Sequence, residues 1–183
     1  YSDHIYSTLS HSSIQCIFVD AQSTLWLGTY SGGSNYTSLI RNGFFHYRHS
    51  IFPNKYFLNQ KDIYCIAKSG DYLWLGTESG GLNRFDLTTG KYKYYKEDVN
   101  NPNALQSNNI KSIKVLPNND LWVGTYNGGL SYFDSDKELF TTYTTESIDT
   151  TGLIVDRVYS TLVDDEGNLW LGTSKHLQKL NYG

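Results

Sequence analysis

Three residues able to bind a hydroxylated ligand follow directly after a Gly-Thr pair: Tyr30, Glu78 and Tyr126. A tyrosine ring can stack on a sugar ring, and a carboxylate accepts hydrogen bonds from hydroxyl groups. Further amide and cationic side chains follow a few residues later: Asn35, Asn83, Arg84 and Lys179. Each of these residues, taken singly, also suits an ordinary solvated loop. As a group they are the best candidates for a ligand-binding face.

The two cysteines occupy equivalent positions in a repeated segment, where Ser112 and Ser160 stand in later copies. A disulfide between Cys16 and Cys65 would suit an oxidising compartment. Matching positions on neighbouring strands are nevertheless far apart for disulfide geometry. We therefore interpret both cysteines as small buried side chains and keep the disulfide as the alternative.

No convincing metal site is visible in the sequence. His46 and His49 lie close together but have no further ligand nearby, and the chain has no C-x-x-C pair. The acidic and amide residues of Lys96–Asn101 lack the regular ligand spacing of a calcium loop, so a turn before Pro102 is preferred. The prediction is no metal and no cofactor.

The carboxylates do not form a catalytic pattern either. A glycan-cleaving enzyme needs a pair of acidic residues roughly 5–10 Å apart, and no such pair stands out in the sequence. Asp86 and Asp134 stand at turn starts, where a carboxylate caps local amides. The chain also lacks a Gly-x-Ser-x-Gly elbow, a phosphate-binding loop and a kinase signature. We predict no catalytic residues in this chain and keep a lyase-type enzyme as a lesser alternative.

Bulk composition narrows the class of protein. The 183 residues carry a net charge of −3 and form no basic patch, which argues against a nucleic-acid partner. Aromatic residues make up 15% of the chain, 16 of them tyrosine, while proline is scarce at 3. This composition is typical of a β-rich globular domain.

A repeated motif indicates the secondary structure that must position these residues. "LWLGT" or "LWVGT" begins at residues 25, 73, 121 and 169, which gives a constant interval of 48 residues. Each copy follows an alternating β-branched segment and a polar turn, and a glycine-marked turn leads on to a further segment. The third copy predicts strands at Ile110–Val115, Leu121–Thr125, Leu130–Phe133 and Phe140–Tyr143.

Four antiparallel strands per repeat, with an aromatic signature, predict an all-β fold in which each repeat is one blade of a β-propeller. We name the strands of each blade a to d. The predicted boundaries are the end of a preceding blade or connecting loop at 1–13, then blades at 14–62, 63–109, 110–157 and, incomplete, 158–183. In this fold the b–c and d–a loops share one face and the a–b and c–d turns share the other.

The repeated tryptophans are interpreted as packing groups between blades rather than as sugar-stacking groups: Trp26, Trp74, Trp122 and Trp170. Burying such a ring contributes roughly 3 kcal/mol. The glycines that follow are expected to allow close approach of the backbone: Gly28, Gly76, Gly124 and Gly172. The threonine after each glycine can tie strand ends together by its hydroxyl group.

The segment Leu73 to Ile113 resembles the two-component regulator propeller repeat. The matching residues are Trp74, Gly76, Thr77, Gly80, Gly81, Leu82, Phe85, Asp86, Thr89, Gly90, Asn101, Pro102, Leu105 and Asn108. The third repeat keeps "GTYNGGLSYFD", the first departs after its glycines, and the fourth replaces them with "SKHLQ".

The resemblance implies the extracytoplasmic sensor region of a hybrid histidine kinase from polysaccharide-degrading gut bacteria. In such proteins the kinase lies elsewhere, the parent is anchored in the inner membrane, and the propellers sense carbohydrate in the periplasm. A non-sensing scaffold for protein interaction or dimerisation is the alternative.

The chain is expected to be part of a longer protein, because Tyr1 falls partway through a repeat and the last repeat stops early. An open array of blades would expose apolar faces. The expected partners are therefore the remaining propeller blades or a second copy, with a homodimeric parent, besides an oligosaccharide or other small polar ligand.

Overall fold

The computed structural model describes residues 9–38, 45–47, 56–98, 100–146 and 152–180. Within these ranges the chain forms fifteen β-strands and no helix, so this part of the chain holds no helical membrane span. The strands form four antiparallel sheets, each a meander in chain order. The all-β propeller architecture predicted from the repeat is confirmed.

Each sheet is one blade, and its strands run from the inner strand a outward. Blade 1 consists of β1 (Ile14–Val19), β2 (Thr24–Thr29), β3 (Gly33–Ser38) and β4 (Phe45–Tyr47). Blade 2 consists of β5 (Ile63–Ser69), β6 (Tyr72–Thr77), β7 (Leu82–Asp86) and β8 (Tyr92–Tyr95). Blade 3 consists of β9 (Ile110–Val115), β10 (Leu121–Thr125), β11 (Leu130–Asp134) and β12 (Leu139–Tyr143). Blade 4 consists of β13 (Val158–Val163), β14 (Leu169–Thr173) and β15 (Leu177–Leu180).

The tryptophan of strand b fills the space between its own blade and the next. Trp26, Trp74 and Trp122 are each no more than 4% exposed and belong to clusters that include residues of the following blade. Trp74, for example, meets the ring of Phe133 in blade 3 edge-on, with 5.3 Å between centroids. Trp170 has no following blade within the described residues and is only half-buried.

The glycine that follows each tryptophan lies beneath the side chain of its strand-a neighbour. A Cβ on Gly28 would overlap the sulfur of Cys16, and a Cβ on Gly124 would overlap the hydroxyl of Ser112. The first residue of the next strand a also presses on the glycine, since a Cβ on Gly124 would come within 2.8 Å of Val158 Cγ1. Only glycine permits both contacts.

The cysteines are free thiols directed at these glycines, Cys16 at Gly28 and Cys65 at Gly76. Burial raises the pKa of Cys16 to about 12 and raises that of Cys65 as well. Both groups are therefore protonated at neutral pH, and their closeness to the glycines agrees with a packing role.

The four blades form an open array. The inner strands contact one another in sequence, β1 with β5, β5 with β9, and β9 with β13. No comparable packing joins β13 to β1 among the described residues. Apolar side chains are accordingly exposed at both ends, including Ile17 at 65%, Val19 at 51% and Leu162 at 58%.

Candidate functional site

The b–c turn at one face of the propeller is built by the Thr-Gly pattern of the repeat. The hydroxyl of Thr77 donates to the Gly81 carbonyl at 2.8 Å and accepts from the Gly80 amide at 2.9 Å. Thr125 makes the same pair of contacts with Gly129 and Gly128. Gly81 and Gly129 have φ of +74° and +73°, a conformation that strains residues with a side chain. The turn therefore presents the residue after threonine in a fixed place.

That residue is also fastened to the d–a loop on the same face. The amides of Tyr30, Glu78 and Tyr126 donate to the carbonyls of Ser13, Asp62 and Asn109, at 3.0, 3.1 and 2.9 Å. These acceptors immediately precede strand a of the same blade. The b–c turn and the d–a loop thus form one rigid edge in each blade.

Aromatic and charged side chains meet along this edge. The Lys111 ammonium lies 3.4 Å from the centroid of the Tyr64 ring, and the Tyr64 hydroxyl donates to Glu78 at 3.0 Å. On its other side Lys111 is 5.8 Å from the Tyr126 centroid, and the Arg157 guanidinium is 5.0 Å from the same ring. We name the set Tyr64, Glu78, Lys111, Tyr126 and Arg157 the aromatic–cationic row.

Exposed tyrosines continue the row at both ends. Tyr159 is 43% exposed, and its ring centroid lies 6.3 Å from that of Tyr126. Tyr30 is 48% exposed and meets the His11 ring edge-on at 6.1 Å. Rings open to solvent beside fixed cations provide stacking faces together with hydrogen-bond donors.

The surroundings shift the pKa of two members of the row, Tyr64 and Lys111. Partial burial and the hydrogen bond to Glu78 raise the pKa of Tyr64 to about 12, so this hydroxyl remains a donor. Partial burial lowers the pKa of Lys111, while the Glu78 carboxylate acts in the opposite direction. Glu78 already accepts the hydrogen bond of Tyr64, and a carboxylate has further lone pairs that can accept from a ligand.

Of the seven predicted ligand-site residues, the structure brings Glu78 and Tyr126 together in the row and places Tyr30 at the same edge of blade 1. Asn35 and Asn83 are fully buried. The Asn35 amide donates to Ser10 Oγ at 2.8 Å and accepts from the Ser10 amide at 3.0 Å, so it ties the loop to strand c. Asn83 accepts from the Asn59 amide at 3.5 Å in the equivalent place.

Arg84 and Lys179 lie elsewhere, directly across the sheet from a tryptophan. The register pairs Trp74 with Arg84 and Trp170 with Lys179. The Lys179 ammonium is 5.5 Å from the Trp170 ring, and the Arg84 guanidinium forms an ion pair with Glu138 at 2.9 Å. Glu138 belongs to the c–d turn of blade 3, so the side chain of Arg84 runs toward the opposite face.

The residues of the row that the turn pattern missed are Tyr64, Lys111 and Arg157, with Tyr159 beside them. Tyr64, Lys111 and Tyr159 share one position, the second residue of strand a, where blade 1 has Gln15. The first residue of that strand is Ile or Val in all four blades and the third is Cys or Ser. The second position changes side-chain type from blade to blade while the first and third positions stay alike. This contrast is the sequence signal that could have identified these residues.

The candidate metal ligands and the turn carboxylates have the following places in the described residues. Within the ranges given above, no three His, Cys, Asp or Glu side chains converge on a point where an ion would sit. His49 lies outside the described residues. Asp86 and Asp134 each accept two backbone hydrogen bonds from the c–d turns that they begin, at 2.9 to 3.1 Å.

Three segments of the chain, residues 8–31, 104–127 and 152–175, match the family model described as "Two component regulator propeller". Each segment ends on the b–c turn just described. These segments are similar to the two-component regulator propeller repeat. The matched segments run from the d–a loop through strands a and b, so the repeats include the edge that carries Tyr126 and Arg157.

Solved structures agree on the fold. One is the extracellular domain of a protein described as the hybrid two component system BT3049 from B. thetaiotaomicron, with TM-score 0.82, 22% identity and 93% of this chain covered. The extracellular domain of BT4673, described likewise and from the same organism, matches with TM-score 0.71 and 24% identity, and 93% of this chain is covered. The computationally designed Ika4 protein gives 0.63 and 14%, with 94% of each chain covered.

The chain spans 23% and 21% of the two B. thetaiotaomicron domains, less than a quarter of either. A search of curated proteins finds no significant match.

Proposed function

We propose that this chain is a ligand-sensing portion of the extracytoplasmic region of a two-component sensor. The repeats themselves support this role, and so do the descriptions of the similar B. thetaiotaomicron structures as extracellular domains of two-component systems. By this proposal the chain itself catalyses no reaction. The parent is a hybrid histidine kinase anchored in the inner membrane, and the propeller faces the periplasm.

The ligand that the aromatic–cationic row fits best is an oligosaccharide, and the row is the observation that carries this proposal. Sugar rings bind by stacking an apolar face on an aromatic ring while their hydroxyl groups exchange hydrogen bonds with charged side chains. The row offers both kinds of group side by side, with Tyr126 flanked by Lys111 and Arg157. With Tyr30 and Tyr159 added, the surface crosses all four blades, so it suits several linked sugars better than one.

Oligosaccharide titration by calorimetry tests this proposal. Fragments of common plant and host glycans are mixed with the 183-residue chain and with the Tyr126→Ala and Tyr30→Ala variants. Removing a stacking ring is expected to weaken binding roughly tenfold, since such a contact is worth about 1 kcal/mol or more. Lys91→Ala is the matched control, because Lys91 is exposed at a c–d turn on the opposite face.

Saturable binding that Tyr126→Ala weakens and Lys91→Ala leaves unchanged supports a sensor. Formation of shorter products would show an enzyme instead. No binding by any fragment would favour the scaffold alternative.

We further propose that a second copy of the chain, or further blades of the same repeat, covers the open ends of the array. Ile63, Ile110 and Val158 are fully buried against the glycine of the preceding blade, while the equivalent Ile14 is 41% exposed. At the other end Gly172 has no residue of a following blade against it within the described residues. The two ends are complementary, because Ile14 of one copy can take the place on Gly172 of another that Val158 takes on Gly124.

A further inference from the structure

A cavity of about 240 Å³ lies between blades 2 and 3, on the face opposite the aromatic–cationic row. Its wall comes from the a–b turn of blade 2, the a–b turn of blade 3 at Asn119, and the c–d turn of blade 3 at Ser135 and Asp136. Trp74 and Arg84 complete the lining. The volume is somewhat below the usual range for ligand pockets, about 300–1,000 Å³, and suits a single small ring.

The indole of Trp74 is the unusual member of this lining. In blades 1 and 4 the indole N–H donates to an aspartate of the a–b turn, Trp26 to Asp20 at 3.0 Å and Trp170 to Asp164 at 2.7 Å. Both aspartates stand six residues before their tryptophan. The a–b turn of blade 2 is one residue shorter, and the residue in the place of Asp20 is Ser69, whose hydroxyl donates to Asn119 Oδ1 at 2.7 Å.

Trp74 therefore lacks the acceptor that Trp26 and Trp170 have. Its residue is 2% exposed, and its Nε1 finds no hydrogen-bond partner among the described residues. The equivalent indoles point Nε1 at their own a–b turn, and the a–b turn of blade 2, Ser69 to Tyr72, is the cavity wall. A buried donor without an acceptor is costly, so the cavity lies where an acceptor is needed.

The other groups in the lining define the chemistry of that acceptor. Arg84 supplies donors and is held by Glu138 at 2.9 Å, with its guanidinium 4.6 Å from the Tyr72 ring. Asp71 and Asp136 supply acceptors. An anion would satisfy Trp74 and Arg84 but face two carboxylates, and a cation accepts nothing from an indole. A neutral hydroxyl group both accepts and donates.

We propose that this cavity binds one neutral polyhydroxylated ring of monosaccharide size, at a site separate from the aromatic–cationic row. The Trp74 indole nitrogen is closed to solvent in this structure, so a small shift of the turn at residues 69–72 would let a ring hydroxyl accept from it and donate to the carboxylate of Asp71 or Asp136. Arg84 donates to a second oxygen. This site does not depend on the function proposed for the opposite face.

Saturation-transfer NMR with glucose, galactose, mannose and xylose tests the proposal, and glucuronate and glucosamine serve as anionic and cationic probes. Trp74→Phe keeps an aromatic ring but removes the N–H, and is expected to weaken binding of the preferred neutral sugar roughly fivefold to tenfold. Trp26→Phe is the matched control, because its indole serves Asp20 in another blade and is expected to leave binding unchanged.

A second pair of variants keeps the proposal testable if Trp74→Phe fails to fold. Arg84→Gln removes a donor from the cavity, while Lys93→Gln removes the other ion-pair partner of Glu138 without touching the lining. Only the first is expected to weaken binding. The proposal is overturned if no neutral sugar binds or if glucuronate binds better. It is also overturned if Tyr126→Ala abolishes sugar binding while Trp74→Phe and Arg84→Gln do not; that last result would leave the function of the opposite face intact.

Discussion

Ile110 of blade 3 rests on Gly76 of blade 2 so closely that a Cβ added to the glycine would come within 2.7 Å of Ile110 Cγ2. The sulfur of Cys65 blocks the same space from within the blade. The identical arrangement joins blade 1 to blade 2 and blade 3 to blade 4. One small residue therefore sets the spacing between neighbouring blades.

Gly76→Ala is expected to destabilise the fold by about 1–3 kcal/mol, the usual cost of overpacking a core. Urea unfolding followed by circular dichroism measures the change. Gly172→Ala is the control, because its added Cβ meets only Ser160, whose small hydroxyl can turn aside. Equal losses in the two variants would contradict the claim that the contact between blades sets the cost.

Asp164 is expected to titrate well below an ordinary aspartate. Hydrogen bonds from Trp170 first, and then from Asn168, lower its pKa from 3.8 to about 2. A lowered pKa means that the carboxylate stabilises the fold at pH above the ordinary value, and that this stabilisation is lost as pH falls from about 3.8 through about 2.

Carbon-detected NMR of the carboxyl group measures this titration. Trp170→Phe is expected to raise the pKa of Asp164 toward 3.8. It should leave Asp20 unchanged, because that carboxylate pairs with Trp26. An unshifted Asp164 in the variant would show that the indole hydrogen bond does not govern the group.

The thiols are expected to react slowly in the folded chain, because burial raises the pKa of Cys16 to about 12 and only the thiolate is nucleophilic. Alkylation by iodoacetamide, followed by mass spectrometry, should be much faster in denaturant than in buffer. Cys16→Ser and Cys65→Ser give single-cysteine chains with a residue that blades 3 and 4 already use at this position. Fast labelling of the native chain would contradict the buried, unreactive thiol.

Self-association is expected, because apolar side chains are exposed at both ends of the array. Light scattering on the 183-residue chain is expected to give the mass of two or more copies. Ile17→Asp is expected to shift the mass toward one copy, because Ile17 is 65% exposed on the inner strand of the first blade. Leu87→Asp, at an exposed c–d turn, should not. A stable monomer of the unaltered chain would reject pairing with a second copy.

Much of the fold could be predicted from the sequence, because the strands predicted for one copy of the repeat apply to the other copies as well. The predicted strands Ile110–Val115 and Leu121–Thr125 coincide with β9 and β10. Strands c and d of that blade each extend one residue further, since Asp134 and Leu139 still pair across the c–d turn. The hydrophobic alternation does not mark that last pair.

The candidate site was only partly predictable. The turn that positions Tyr126 is determined by local sequence, since the hydrogen-bonded residues Thr125 and Gly129 lie four residues apart. The contacts of Tyr126 with Lys111 and Arg157 join residues of two blades through side-chain geometry that no local pattern specifies. Arg84 shows the opposite error, because a residue near the b–c turn in sequence sends its side chain toward the other face to meet Glu138.

In all four blades the second position of strand a lies between an Ile or Val and a small Cys or Ser that packs against glycine. This second position holds glutamine, tyrosine, lysine and tyrosine in blades 1 to 4. The residues that pack the blades together are thus different from the residue that varies between them. If this face binds a ligand as proposed, an exchange at this position would alter the binding surface and leave the packing between blades unchanged.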